Sequence, residues 1–142
     1  MPTAISTTFD PAAAGWDPDD DEGFVALVGP MWKRRSGETD HYAFVAEAKH
    51  HNRRGVVHGG MLMTFADQAF GELVLDSVDH RLCATIQLNT HFIAAVQAGD
   101  FVVGRGEIVR KTRSIVFVRG ILSVGNRQVA GIDGIWKVLK AD

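Results

Sequence analysis

From Gly60 to Val78 the chain has no proline, and Met61, Leu62, Met63, Phe65, Ala66, Ala69, Phe70, Leu73, Val74 and Leu75 cover most of a helical wheel. A helix that is apolar nearly all round has to be wrapped by other structure, so this stretch predicts a buried central helix. The pattern then turns to β. Over residues 82–97, Leu82, Ala84, Ile86, Leu88, Phe92, Ala94 and Val96 alternate with Cys83, Thr85, Gln87, Asn89, His91 and Gln97. That alternation predicts one long two-faced strand, with Thr85, Asn89 and His91 sharing its polar face. Turn signals at Gly99-Asp100, Lys111-Thr112-Arg113 and Gly125-Asn126 divide the remainder into strands 101–110, 114–123 and 128–139.

Ahead of the helix the pattern is weaker. Residues 31–35 and 41–48 read as two strands around the turn-forming cluster Ser36-Gly37-Glu38-Thr39, after a break at Gly29-Pro30. Residues 1–23 show no period and are rich in Ala, Pro and Asp. Their acidic run, Asp19-Asp20-Asp21-Glu22, helps to start a short helix at Phe24–Val28 through the helix dipole. The chain is therefore expected to comprise a flexible arm, 1–23, and a single α+β domain, 24–142. In that domain a curved antiparallel β-sheet wraps around one long central helix.

Composition narrows the function. A chain of 142 residues suits one domain, and 46% hydrophobic with 23% charged residues excludes disorder and coiled coil. Fifteen Lys+Arg against seventeen Asp+Glu leave a formal charge of −2, which points to neither nucleic acid nor an anionic membrane as partner. No apolar run approaches the roughly 18–20 residues of a membrane helix. The stretch MPTAISTTFDPAAAG has no basic residue ahead of an apolar segment, so no secretory signal is expected and the protein is expected in the cytoplasm. The single cysteine, Cys83, excludes an intrachain disulfide and a Cys-rich zinc site. Six histidines (41, 50, 51, 58, 80 and 91) lack metal-ligand spacing, so no metal is expected.

The chemistry concentrates in His51-Asn52-Arg53-Arg54-Gly55-Val56-Val57-His58-Gly59-Gly60, which leads straight into the helix that contains Asp67. Gly59 and Gly60 open the helix, where backbone N–H groups lack partners and the dipole is positive; glycine lets an oxygen approach closely. Such a place suits a carbonyl that becomes an oxyanion. Asp67 has few polar neighbours on the helix (Thr64, Gln68 and Glu72). Burial there would raise its pKa and make it a better base for activating water. A buried Asp that caps a loop or pairs with an arginine would look the same, as would a Gly-Gly pair in a tight turn.

The string Asn52-x5-His58-Gly59-Gly60-x6-Asp67 resembles the signature of hotdog-fold acyl-CoA thioesterases, in the phenylacetate-pathway-like branch of the 4-hydroxybenzoyl-CoA thioesterase superfamily. Thr85-x-x-x-Asn89-x-x-Phe92 and Ala98-Gly99-Asp100 extend the resemblance over roughly residues 24–140. It implies a hotdog fold and hydrolysis of acyl-CoA to free acid and CoA. In those roles the Gly59 N–H and the Asn52 side chain polarise the thioester carbonyl, Asp67 activates a water or attacks directly, and Thr85 orients the water. His58 braces the loop or sits near the leaving thiol. Gly60, Gln68, Asn89 and His91 are expected around the substrate. Arg53, Arg54, Arg110, Lys111 and Arg113 have the charge to meet the CoA phosphates, and a solvated loop face would look the same. Coenzyme A enters as part of the substrate, with no other cofactor.

Two other functions fit a hotdog fold: a non-catalytic protein that binds acyl-CoA or a small ligand, and a hydratase or dehydratase. The latter needs a His and a carboxylate placed on a β-hydroxyacyl chain, whereas here both sit on the helix-entry motif. An α/β-hydrolase would need a Gly-x-Ser-x-Gly elbow, which the chain lacks. Met61, Met63, Phe65, Phe70 and Phe92 would suit an aromatic or medium-length acyl group and would serve equally as core. Finally, Gly59 and Asp67 stand eight residues apart, about 12 Å along a helix axis. Both must reach one thioester carbon, so the sites are expected to be shared between the subunits of a homodimer, in a dimer of dimers.

Overall fold

The computed structural model describes residues 9–37 and 39–140; residues 1–8 of the expected arm and Glu38 of the expected turn lie outside them. The elements are β1 (Asp17–Pro18), α1 (Gly23–Val28), β2 (Met31–Ser36), β3 (Thr39–Val45), α2 (Gly59–Ser77), β4 (Cys83–Phe92), β5 (Phe101–Lys111), β6 (Ile115–Val124) and β7 (Arg127–Val138), with one 3₁₀ turn at Ala48–His50. All seven strands form one sheet in the order β1-β2-β3-β5-β6-β7-β4, and every pairing is antiparallel. The sheet curves around α2 as expected of a hotdog fold.

Helix α2 packs its Met61, Leu62, Phe65, Ala66, Ala69, Phe70 and Val74 onto the sheet. The approach is close because two glycines face each other across β5 and β6. Gly106 pairs with Gly120, and a Cβ on either would lie 2.8 Å or 2.3 Å from the Phe70 ring. Phe65 and Phe70 are fully buried, so they are core and not acyl pocket. The helix ends at Val78, after which Asp79 and His80 take positive φ (53° and 60°) and the His80 N–H returns to Leu75 O.

The complete wrapping expected for α2 is not supplied by its own chain. Gly60, Asp67 and Asp76 are exposed, and Thr64, Gln68, Glu72 and Leu75 are half-buried. Strand β4 is an edge strand paired only with β7 and is mostly exposed. It also stops at Phe92 instead of continuing to 97. The Ile93 and Ala94 N–H groups both converge on Val129 O of β7, and Val96, itself buried, accepts the Val57 N–H at 2.7 Å, which ties the end of β4 to the loop before α2.

Residues 9–22, expected to be loosely ordered, are instead docked. Trp16 is buried, meets Phe101 edge-on at 5.2 Å and carries the Arg34 guanidinium over its ring at 4.5 Å. Asp17 and Pro18 then pair with β2. Phe9, whose ring lies 4.7 Å from that of Phe101, adds a second aromatic contact, and with the short backbone pairing these fasten a segment that has no hydrophobic period.

Candidate active site

The loop ahead of α2 is built around Asn52. The Asn52 N–H donates to Val56 O (2.7 Å), and its Oδ1 accepts from the Arg54 N–H (2.9 Å) and the Val56 N–H (3.4 Å). Gly55, at φ 79°, makes the turn that this requires. With Oδ1 engaged in the loop, the Asn52 amide NH₂ has no partner among the described residues. Gly59, Asn52, Arg54, Leu62, Phe92 and Val96 line a cavity of about 410 Å³. The Gly59 N–H is likewise without a partner among the described residues, and the Phe92 ring packs closely over the glycine, 3.1 Å from where a Cβ would stand.

Gly60 differs from the expectation of two outward N–H groups. Its N–H donates to His58 Nδ1 (2.8 Å), so His58 is the N-cap of α2 and is not hydrogen-bonded to Asn52. A Cβ on Gly60 would stand 2.9 Å from that same Nδ1. The pair Gly59-Gly60 thus divides its work: one N–H remains for a ligand and the other receives the cap. The loop is braced by His50, buried, whose carbonyl accepts the His58 N–H (2.7 Å) and whose Nδ1 and Nε2 engage the Glu47 N–H and Val28 O.

Asp67 and Thr85 meet elsewhere. The Thr85 hydroxyl donates to Asp67 Oδ1 at 2.6 Å. Both residues line a second cavity, about 490 Å³, with Leu75, Leu82, Cys83 and Trp136. Asp67 is exposed in the single chain, contrary to the burial expected of it. Cys83 lies in the same cavity with its thiol pushed up by burial, which keeps it protonated and a poor nucleophile.

Thr85 reaches α2 because β4 breaks its alternation. Thr85 pairs with Trp136 and Gln87 with Ile135, leaving Ile86 as an extra bulged residue. Thr85 therefore faces the helix, whereas Gln87 and Asn89 line a cavity with Phe117, Arg119 and Asp133 on the outer side of the sheet. His91, opposite Gly131, keeps that outer register. The expectation that Asn89 and His91 share a face with Thr85 is thus corrected. Arg110 lines that outer cavity with Asn89, and neither Arg110, Lys111 nor Arg113 lines the Asn52 or the Asp67 cavity: Lys111 Nζ donates to Ser77 O, at the opposite end of α2 from Asn52 and Gly59. Gln68 does lie beside Asp67 and donates to Asp21 Oδ2 (2.7 Å).

That last contact shows what pattern reading missed. Asp19, Asp20, Asp21 and Glu72 line the Asp67 cavity. Glu72 follows Asp67 by five residues on α2, a spacing that could have drawn notice. Burial, with Asp19 alongside, pushes its carboxyl up to about 7. Lys33 answers three carboxylates at once, Glu72 (3.1 Å), Asp76 (3.4 Å) and Asp40 (3.6 Å). Burial opposes its charge, but those acids outweigh burial and hold it at about 12. Lys33 favours the Glu72 charge but is shared with two other acids, and burial outweighs it.

The family model described as the Thioesterase superfamily matches residues 54–130. The chain belongs to this superfamily. It is a thioester hydrolase, and the matched span carries the helix-entry glycines, Asp67 and Thr85. Among relatives, a Pseudomonas aeruginosa protein that carries an esterase name (PA0474) is 27% identical over 112 residues, covering 78% of this chain and 84% of its own. A phenylacetic acid degradation-related protein of Ralstonia eutropha superposes with a TM-score of 0.75 at 28% identity, over 84% of this chain and 92% of its own. The BH2602 protein of Bacillus halodurans, whose structure was solved with CoA, gives a TM-score of 0.71 at 21% identity, over 78% and 74%. No helix of this thioesterase among the described residues is long and apolar enough to cross a membrane.

Proposed function

We propose that this thioesterase hydrolyses acyl-CoA at two composite sites of a homodimer, each made from the Asn52–Gly59 half of one protomer and the Asp67–Thr85 half of the other. The observation that carries this reading is the separation of the two halves. The carbonyl-binding donors line one cavity and the hydrogen-bonded Asp67–Thr85 pair lines another. Along α2 they are about 12 Å apart, too far for one thioester carbon to meet both within a chain. Two α2 helices running antiparallel across a two-fold axis would set the start of one beside the middle of the other.

The exposed edge supports that pairing. Strand β4 is ten residues long with one side unpaired, and Leu82, Ile86, Phe92 and Ile93 are all more than half exposed on or beside it. A long apolar edge strand is a liability in a lone chain and a ready surface for a second copy. The opposite edge, β1, has only two residues. A partner along β4 would also cover Asp67 and shield the reacting centre from bulk solvent. Further assembly into a dimer of dimers is consistent with the apolar outer cavity beside Phe117 and Val109.

In the reaction, the carbonyl oxygen accepts from the Gly59 N–H and the Asn52 amide. Thr85 holds Asp67 Oδ1 and leaves Oδ2 to take a proton from water as the water oxygen bonds to the thioester carbon. The charge that develops on the carbonyl oxygen is met by the two donors and the helix dipole. Collapse of the tetrahedral intermediate breaks the carbon–sulfur bond, and the proton held by Asp67 passes to the leaving thiolate. Acid and free CoA result, with coenzyme A present as part of the substrate. The solution of the Bacillus halodurans relative with CoA supports a CoA thioester on this scaffold. The test is release of free thiol from acyl-CoA, followed with a thiol reagent. Hydrolysis above the uncatalysed rate supports the reading, and tight acyl-CoA binding without thiol release would make the chain a binding protein.

A further inference from the structure

We infer that residues Asp19–Asp21 form an acidic wall that makes the Asp67 cavity the acyl subsite and selects neutral or cationic acyl groups against acyl groups that end in a carboxylate. The inference rests on the composite site proposed above and adds to it the direction in which the substrate lies and the class of acyl group it carries.

The two half-cavities have opposite charge. Among the described residues, the Asn52–Gly59 cavity is lined by one arginine, Arg54, and by no acid. The Asp67 cavity is lined by Asp19, Asp20, Asp21, Glu72 and Asp67 itself, and by no described Lys or Arg. A thioester spans both, with its carbonyl between them. The CoA side carries several phosphate charges and is repelled by the second cavity, whereas Arg54 can meet a phosphate oxygen in the first. The acyl group therefore occupies the acidic side, over an apolar floor of Leu75, Leu82 and Trp136.

The wall is fixed to the site. The Asp19 N–H donates to Met31 O (2.9 Å), Pro18 pairs with Trp32, and Gln68 of α2 donates to Asp21 Oδ2. Lys33, the cation that Glu72 bonds, is committed to Asp40, Glu72 and Asp76 and lines a different cavity. A terminal carboxylate on the acyl chain would meet this wall without a counter-ion. A methyl, aryl or hydroxyl terminus would not be repelled.

Hexanoyl-CoA and adipoyl-CoA share chain length and differ in the terminal carboxylate, so the ratio of their kcat/KM values reads the filter. The wild-type ratio should exceed about tenfold in favour of hexanoyl, the scale of like charges a few ångströms apart at a protein surface. The triple variant Asp19→Asn/Asp20→Asn/Asp21→Asn should narrow the ratio at least about threefold. Asp20 is exposed and makes no side-chain hydrogen bond among the described residues, so Asp20→Lys tests the same point without removing the contacts that hold Asp19 and Asp21 in place. Dissociation constants of the non-hydrolysable thioethers S-hexyl-CoA and S-(5-carboxypentyl)-CoA should follow the same order. Ratios unchanged in both variants would overturn the acidic filter and leave hydrolysis intact. Thioether affinities that shift as expected, with no thiol released from any acyl-CoA, would instead uphold the filter and overturn hydrolysis.

Discussion

Thr85 donates its hydroxyl proton to Asp67 across the gap between β4 and α2, and the bulge at Ile86 is what turns Thr85 toward the helix. The bond fixes one carboxylate oxygen and leaves the other without a partner among the described residues, as the proposed activation of water requires. Asp67→Asn removes the proton acceptor while keeping the shape, and kcat should fall about 10²–10⁴-fold, the usual contribution of a positioned base. Thr85→Ser should retain most of the rate, and Thr85→Val should lose roughly tenfold or more because it leaves the carboxylate unoriented. Steady-state thiol release measures all three. Equal rates for Thr85→Val and wild type would remove Thr85 from the site.

How much of this is legible in the sequence depends on the kind of signal. The apolar wheel of Met61–Leu75 and the alternation of strands 101–138 are repeated signals, and the structure follows them to within about two residues. The bulge is not legible, because one inserted residue leaves Leu82, Ile86 and Leu88 looking like a single apolar face. The open side of α2 misleads for a related reason. Thr64, Asp67, Gln68 and Glu72 are scattered among apolar residues on the wheel, so the sequence does not show that they share an uncovered side. Docking of the arm is visible only in Phe9 and Trp16, two aromatics in a segment without a hydrophobic period. Gly59, Asn52 and Asp67 are legible as chemistry, but their division between two cavities needs the fold.

Gly120 is where the helix–sheet spacing is set. A methyl group there would enter the Phe70 ring, and neither backbone nor ring has room to yield. Gly120→Ala should cost about 1–3 kcal/mol, as overpacking does, which lowers Tm by several degrees. Gly131, on the outer side of the sheet with nothing within 4 Å of a built Cβ, supplies the control: Gly131→Ala should leave Tm unchanged or slightly raised. Equal losses in the two variants would count against the close approach of Phe70.

Glu72 gives stability a pH dependence of known sign. Its folded carboxyl is raised to about 7 from an ordinary 4.5, so the native chain holds that proton more tightly than the unfolded chain does. The resulting stabilisation is complete below the unfolded value and is lost as pH rises through about 7. Glu72→Gln mimics the protonated form at every pH. Between about pH 4.5 and pH 7.5 the wild type should lose on the order of 2 kcal/mol relative to this variant. Thermal melts across that range provide the comparison, and parallel Tm–pH curves would show that Glu72 ionises freely in the folded protein.

Sharing of the sites between subunits can be tested by mixing two impaired proteins. Asn52→Asp keeps the oxygen that accepts from Arg54 and Val56 but removes the amide donor, and it places a negative charge where the oxyanion forms. Asp67→Asn removes the base. Each homodimer then carries the same lesion in both of its sites. In a mixed dimer one site receives both altered side chains, while the other combines the unaltered Asn52 of one chain with the unaltered Asp67 of its partner. Random exchange at equal concentrations makes half the dimers mixed, so about a quarter of all sites are intact. Activity should rise from the two low backgrounds to about a quarter of wild type, at a rate set by subunit exchange. Sites contained within single chains would leave the mixture at the average of its parents.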